Sequence, residues 1–597
     1  MKNIIIVGSG PIGLYNALKL SQLKKKYNLD INISVVDARS GEYERSRIVA
    51  KAVAMEIEQG LGHDLKGIRS ADDIGNAIYI QDVEQALYKL ALQEGIHFEK
   101  ANFKTFDSKN VVVETKSSIL KTLNSDLVLD CTGSSRAVVK EVNKLTNGES
   151  FTVSPIGNNP IKSHFSAYVT MTDDQVQLMH SPEERDPVKH AIAMATLRKK
   201  YGWEHFSEPF FEMRTLDIGQ GKKRVYLYYE IPENLASQSV EVKKEYLKDL
   251  LNLKMQHTDI QFELEESKYS FGAFPVDPHK VDELGFKGNG EIPQVYPCGD
   301  AQVEPDYRLG VGIRSGVMRA NALWNSIQLT HDRGIKINDE QYAYTIGQVL
   351  SWHILNLESD YKQRHSALIS KLADVLDEHL VALEILSESE ENALIEEYKV
   401  TIKASISELA GELKSLADKA FRGESPYTSK SIDQCFSYYR KALNAYESIG
   451  DIDNQIKLNS NMAIYSKIEN KYTKTLEYTQ KALELNSNAA KTTPEDTQII
   501  NKVLYNQAYA LFKIALSQLS SNDEGVHDTF SLLVDTAIDL ETRLGTQDKF
   551  VKQINKFKLT VEEELSKQKQ SASVPVLIFS HNTSYSVQQT QGITVNS

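Results

Sequence analysis

Cysteine is scarce in this chain. Only Cys131, Cys298 and Cys435 occur among 597 residues; they lie far apart, with no CxxC or Cys/His spacing. That argues against a disulfide framework and a zinc site and fits a reducing compartment. No apolar run reaches the ~18 residues that a bilayer span needs, so no transmembrane segment is expected. The N-terminus enters an apolar run almost at once, which leaves no room for a signal peptide. An excess of basic residues is also missing. A formal net charge of −13 weighs against a nucleic-acid groove, because phosphate binding needs a basic face. The expected setting is cytoplasmic, or exported without a recognisable signal peptide.

What is present is ordinary globular composition, 41% hydrophobic and 25% charged, at a length that implies two or three domains. The most informative stretch is the first. Ile4-Ile5-Ile6-Val7 runs into Gly8-Ser9-Gly10-Pro11-Ile12-Gly13, then Leu14-Tyr15-Asn16-Ala17-Leu18, with Ile33-Ser34-Val35-Val36-Asp37 further on. The order strand, tight turn, helix, strand is that of a dinucleotide-binding unit. A diphosphate lies on a helix N-terminus when no side chain holds the backbone away. Gly8 and Gly10 give that clearance, Gly13 lets the helix approach the first strand, and Asp37 is placed to accept hydrogen bonds from a ribose.

After Asp37 the segment Ala38-Arg39-Ser40-Gly41-Glu42-Tyr43-Glu44-Arg45-Ser46-Arg47 is polar and rich in arginine. Arg39, Arg45 and Arg47 read either as diphosphate contacts or as a solvated loop. Ile78-Tyr79-Ile80-Gln81 leads into an amphipathic helix over 83–91, and 95–98 reads as a strand. The β-formers at 111–114 and 127–129 follow, the second run ending in Asp130-Cys131-Thr132-Gly133. A small residue and a glycine at a strand end let backbone pass close to a cofactor. Cys131 reads as a packing cysteine, since no clear base stands beside it. From 151 to about 274 the pattern turns extended and aromatic, with strands at 166–171 and 224–230; no single tyrosine stands out there.

The second informative stretch is Gln294-Val295-Tyr296-Pro297-Cys298-Gly299-Asp300, followed by Val303-Glu304-Pro305 and Leu309-Gly310-Val311-Gly312-Ile313-Arg314-Ser315-Gly316. The carboxylate of Asp300 can bond a ribityl hydroxyl. Gly310 and Gly312 expose backbone N–H groups at a helix start that can stabilise negative charge on a reduced flavin.

Together these motifs resemble the FAD-dependent monooxygenases of the para-hydroxybenzoate hydroxylase type. Gly299-Asp300 with Val303-Glu304-Pro305, Gly310-x-Gly312-Ile313 and Gly316 is most similar to the MICAL flavin monooxygenases. The resemblance covers about the first 330 residues. It implies FAD bound across the sheet by the residues named above, NADPH or NADH as reductant, and oxygen activation as a flavin hydroperoxide. Two positions depart from the family. Its middle motif is Asp-Gly where this chain has Thr132-Gly133, and Gln81 stands where arginine is common. These departures leave NADPH recognition open, and no catalytic base carries over. Flavin halogenases share the fold, but their Trp-x-Trp-x-Ile-Pro motif is absent, with Trp203, Trp324 and Trp352 isolated.

Past 335 the chain reads as helical. Apolar spacing at 343–357 and 367–386 predicts two helices, and the acidic run 388–397 reads as a solvated helix face. Gly423-Glu424-Ser425-Pro426 marks a boundary. Tyr438-x-x-Lys441-Ala442-Leu443 recurs as Tyr478-x-x-Lys481-Ala482-Leu483, and 458–486 resembles one tetratricopeptide repeat, a unit whose stacks bind protein partners.

The expected architecture is therefore an α/β Rossmann-like FAD-binding domain over 1–150 with 270–335 and an inserted β-rich substrate domain over 151–269. A helical connector over 336–422 follows, then tetratricopeptide-like repeats over 423–565 and a disordered tail over 566–597. The expected function is an FAD-dependent monooxygenase acting on a small molecule or on a protein side chain recruited by the repeats. The alternative is an FAD-stabilised scaffold or effector whose repeats bind a partner with little or no catalysis.

Overall fold

In the computed structural model the run Ile4-Ile5-Ile6-Val7 lies in the strand Asn3–Val7. Ile4 and Ile6 point into one core, Ile5 and Val7 into another on the opposite side. That double burial is what a strand inside a covered parallel sheet requires. Described are residues 1–572 apart from 45–46, 149, 181–185, 206, 256–259, 266–270, 425–429 and 488–493.

Five parallel strands form the sheet, in the order Gln294–Pro297, Leu127–Asp130, Asn3–Val7, Asn32–Val36, His97–Glu99. From the first strand the chain crosses to Asn32–Val36 on one side and later returns to Leu127–Asp130 on the other. The reversal leaves a crevice beyond the carboxyl ends of these strands, where ligands of open α/β sheets bind. The glycine turn sits there. The helix Pro11–Tyr27 that leaves it has proline in its first turn and closes on Asn28, which adopts the left-handed conformation at φ 47°, with Lys24, Lys25 and Lys26 in the last turn.

The inserted region is an antiparallel sheet of Phe211–Gly219, Lys222–Glu230 and Ser163–Thr172, the last also pairing with Glu263–Leu264 and Phe271–Pro275. Its last strand lies just past the expected boundary at 269. Along Lys222–Glu230 the side chains alternate: Val225, Leu227 and Tyr229 pack in one core that also takes in the helices Pro187–Tyr201 and Val240–Met255, while Tyr226 and Tyr228 face the other way.

Where two helices are expected at 343–357 and 367–386, one helix of 50 residues runs from Asp339 to Glu388. Nothing in 358–366 breaks it, since that segment holds neither proline nor glycine. The acidic run is largely exposed but is not one helix face, because a turn at 389–392 separates that helix from Ala393–Arg422.

The chain divides into two compact units, Met1–Ser405 and Ile406–Ser597. The first therefore takes in the 339–388 helix, and the expected connector 336–422 straddles the division. In the second unit the helices Ile432–Ile449, Ile452–Ile468, Tyr472–Ser487, Pro494–Ser521, Val526–Leu544 and Lys549–Ala572 pack on their neighbours in sequence. Ala442 and Ala482, matched in the two sequence copies, are both fully buried. The final helix continues through 566–572, where disorder is expected. Its apolar stripe of Val551, Ile554, Phe557 and Val561 is buried, and the Gln568 amide donates to the Leu519 carbonyl at 2.6 Å. The rest of the expected tail lies outside the described residues. No described helix is long and apolar enough to cross a membrane.

Candidate cofactor site

The glycine turn works differently at each position. Gly8 has φ +106°, and a Cβ there would lie 2.2 Å from the Cys131 carbonyl oxygen; at Gly13 it would lie 1.9 Å from the Gly8 carbonyl oxygen. Both glycines let backbone pack on backbone. Gly10 is different. A Cβ there would meet only a Glu84 carboxylate oxygen, at 3.9 Å. Clearance for a ligand thus comes from Gly10, whereas Gly8 serves the contact between the turn and the neighbouring strand.

Above the turn lies a cavity of about 640 Å³, within the ~300–1,000 Å³ usual for cofactor and ligand sites. Gly8, Gly10, Pro11, Ile12 and Gly13 line it, as do Asp37, Ala38, Arg39 and Arg47, then Thr132 and Gly133, then Gly299, Asp300, Gly310, Gly312 and Ile313. Three sequence motifs, remote from one another in the chain, thus converge on one space. Gln81 does not line it. The strand Ala77–Tyr79 ends earlier than the sequence suggests, so Ile80 opens the next helix and faces the cavity in its place. Arg45 lies outside the described residues.

Two of the helices that start at the cavity have free ends. The Pro11–Tyr27 and Gly312–Asn325 helices carry no side-chain cap and no acid in their first turns, so their N-terminal N–H groups and positive dipole ends are available to an anionic ligand. The Ala137–Leu145 helix, in contrast, is already served. Buried Asp130 accepts from Val138 N (3.1 Å) and Val139 N (2.9 Å) through one oxygen, and from Thr132 N (3.0 Å) and Thr132 Oγ1 (2.6 Å) through the other. Thr132 Oγ1 in turn accepts from Ala137 N at 2.8 Å. Burial pushes the Asp130 carboxyl up, and these donors oppose the shift. The side chain of Thr132 is therefore turned to the protein, not to a ligand.

Asp37 is also partly engaged. It accepts from Ser9 N (2.8 Å), Ser9 Oγ (3.0 Å) and Arg39 N (2.8 Å), and its ion pair with Arg39 Nη2 is 3.4 Å long. These bonds fix the carboxylate at the cavity edge.

Sequence reasoning passed over the residues that hold the motifs together. Arg136, buried and left-handed at φ 48°, donates to the carbonyls of Ala301 (3.1 Å) and His279 (2.9 Å) and pairs with Glu304 (3.0 Å). It thereby ties the second motif to the third. Arg308 is buried against Asp306 (2.6 Å) and Asp360 (2.7 Å), which hold its charge firmly and raise its pKa. Ser315 Oγ meets His353 Nδ1 at 2.9 Å. Asp360 and His353 both belong to the 339–388 helix, which is thus a buttress for the glycine loop.

The inserted sheet contributes Glu212, Arg214, Tyr226, Tyr228 and Phe274 to the cavity wall, joined by Tyr307. Period-2 alternation in 224–230 is the signal that singles out Tyr226 and Tyr228. Tyr228 Oη lies 2.5 Å from His164 Nδ1, and His164 Nε2 lies 3.3 Å from the Ile161 carbonyl. With Nε2–H donating to that carbonyl, Nδ1 accepts the tyrosine proton. Burial lowers the His164 pKa to about 4, so the ring is neutral near pH 7. The Arg47 guanidinium sits 4.4 Å from the centre of the Phe274 ring and 5.7 Å from that of Tyr307. No cluster of potential metal ligands occurs among the described residues.

No family model and no curated protein matches the chain. Solved structures that resemble it include a triple mutant of a flavin-dependent brominase, at 11% identity over 61% of this chain and 88% of that one, TM-score 0.39. Another is aklavinone-11 hydroxylase in a ternary complex with FAD and aklavinone, at 14% identity over 54% and 62%, TM-score 0.36. A third is the tetrameric form of 2-methyl-3-hydroxypyridine-5-carboxylic acid oxygenase, at 13% identity over 62% and 92%, TM-score 0.36.

Proposed function

We propose that the cavity holds FAD and that the protein is an FAD-dependent oxidoreductase of the monooxygenase type, with NADPH or NADH as reductant. The observation that carries this reading is the pair of uncapped helix N-termini, at Pro11 and Gly312, on one cavity lined by Asp37 and Asp300. The donor set suits the group. Gly10, Pro11, Ile12 and Gly13 with Asp37, Ala38 and Arg39 would take the adenosine diphosphate half; Asp300, Gly310, Gly312 and Ile313 would take the flavin half. Bound there, FAD supplies acceptance of hydride from the nicotinamide and the subsequent reaction with oxygen.

The chain's own residues bind, orient and exclude water. Tyr226, Tyr228, Phe274 and Tyr307 wall the roof with aromatic surface. Tyr228, whose O–H donates a hydrogen bond to His164, presents an oxygen lone pair to the cavity. Arg47 lines the same cavity and offers positive charge beside Phe274 and Tyr307. The substrate is a small molecule, or a protein side chain such as methionine recruited by the helical unit. The test is an anaerobic titration of flavin-loaded protein with NADPH and NADH, then admission of oxygen with candidate substrates. Bleaching followed by oxygenated product or hydrogen peroxide supports the reading; a flavin that neither nucleotide reduces, and that yields neither, contradicts it.

A second reading draws on Thr132. Its hydroxyl is committed to Asp130 and Ala137 N, so this position offers a ligand no carboxylate. FAD would then stabilise a scaffold whose helical unit, resembling a tetratricopeptide array, binds a protein partner. A Gly10→Trp variant that loses FAD but keeps partner binding supports this reading; loss of both together counts against it.

A further inference from the structure

Two of the three cysteines, remote in sequence, meet at the cavity floor. The strands Leu127–Asp130 and Gln294–Pro297 are parallel neighbours in register, Asp130 opposite Pro297. Cys131 and Cys298 are the next residues on each, and Cys298 N donates to the Asp130 carbonyl at 2.8 Å. Alternation puts both on one face. Leu127, Leu129 and Tyr296 pack in the core on the side of the first helix together with Cys298 and, at its edge, Cys131, while Val128 and Val295 lie in the opposite core.

Neighbouring strands run about 4.8 Å apart, and a disulfide bridges Cα atoms about 4.4–6.8 Å apart. Both cysteines are free, and both line the cavity. Cys298 Sγ donates to the Tyr296 carbonyl at 3.7 Å, and the neighbouring Cys298 thiol together with burial pushes the Cys131 thiol up. Arg319, only 2% exposed, has an Nη2 with no hydrogen-bond partner; burial lowers its pKa, and Asp300 is the first of the charged neighbours that oppose this, Cys298 the last.

We propose that Cys131 and Cys298 form a hydroperoxide-oxidisable dithiol in the cavity floor, which closes to an intramolecular disulfide when no dinucleotide covers it. The Cys298 sulfur attacks one oxygen of hydrogen peroxide; the O–O bond breaks, the departing oxygen takes the thiol proton and leaves as water, and a sulfenic acid remains. The Cys131 sulfur then attacks that sulfur, the S–O bond breaks, and the hydroxide leaves as a second water with the Cys131 proton. The two sulfurs lose two electrons and the peroxide gains them. Closure ties together the strand ends that carry Thr132-Gly133 and Gly299-Asp300. The dithiol itself does not depend on the flavin reading; its protection by FAD does.

The experiment treats full-length, nucleotide-free protein with hydrogen peroxide, blocks remaining thiols with N-ethylmaleimide in denaturant, and maps peptides by mass. Maleimide uptake is expected to fall from three thiols to one, Cys435, with a linked 131–298 peptide that dithiothreitol reverses and whose rate is independent of protein concentration. Persistence of all three thiols, or added oxygen on one cysteine without linkage, overturns the proposal. Cys298→Ser is expected to abolish the linkage. Protein that carries FAD by its absorbance is expected to oxidise about tenfold more slowly or less; equal rates overturn the placement of the thiols beneath the cofactor. Because flavin content is read separately, failure to bind FAD is seen as a failure of the functional proposal, with the cross-link in nucleotide-free protein still deciding the dithiol.

Discussion

Gly10 and Gly13 stand three residues apart in one turn, and their replacement should have opposite consequences. At Gly10 the backbone is extended, φ −71° and ψ −179°, which any residue adopts, and an added Cβ meets nothing nearer than a Glu84 oxygen at 3.9 Å. Gly10→Val should therefore leave stability within about 0.5 kcal/mol of the parent, while its side chain stands where a diphosphate would approach the helix end. The expected cost to FAD binding is at least tenfold, about 1.4 kcal/mol. At Gly13 the added carbon lies 1.9 Å from the Gly8 carbonyl oxygen and 3.3 Å from Cys131 Cβ. The helix must move off the first strand, so Gly13→Ala should lose about 1–3 kcal/mol or more. Urea unfolding followed by fluorescence, with FAD binding by flavin-fluorescence quenching, separates the two effects. If Gly10→Val destabilises as much as Gly13→Ala, or binds FAD as the parent does, the assignment of ligand clearance to Gly10 is wrong.

Asp130→Asn turns one oxygen that accepts two N–H groups, or an N–H and a hydroxyl, into a donor facing donors; a loss of about 2–3 kcal/mol in chemical denaturation is expected, and an unchanged midpoint would contradict the capping role. Acid should weaken the first unit over a defined window. Burial holds His164 and His379 at about 4 and His353 at about 3, so between these values and the ordinary ~6.5 the unfolded chain binds more protons. Stability therefore falls as pH drops from about 6.5 toward 4. The His164→Gln variant, whose amide can still accept from Tyr228, should flatten that slope in denaturant midpoints measured across the window; an unaltered slope would rule out His164 as a contributor.

Much of the parallel-sheet fold was legible because local rules and the global fold agree. Ile4-Ile5-Ile6-Val7 is a strand fit for burial on both faces, Pro11 starts a helix, and Asp37 and Asp300 follow strands. The legible motifs were those that act through backbone close to them in sequence. What escaped reading depends on residues meeting across the chain. Cys131 and Cys298 become neighbours only through the register of two strands, and Arg136 acts through carbonyls at 279 and 301. Thr132 reads in sequence as a missing aspartate, whereas in the structure it completes a helix cap with Asp130, the acid two positions earlier. The 339–388 helix reads as two in the sequence because apolar spacing weakens over 358–366, while nothing there forbids the backbone from continuing.

The most direct test of the account is the absorbance spectrum of the purified protein after incubation with FAD and removal of the excess, with the bound nucleotide released by heat and identified by chromatography. Near-stoichiometric FAD, absent in Gly10→Trp protein that keeps the parent's unfolding midpoint, is the expected result. A colourless parent protein, or one that retains FAD equally well with Gly10→Trp, would contradict the claim that the glycine-turn cavity is a flavin site.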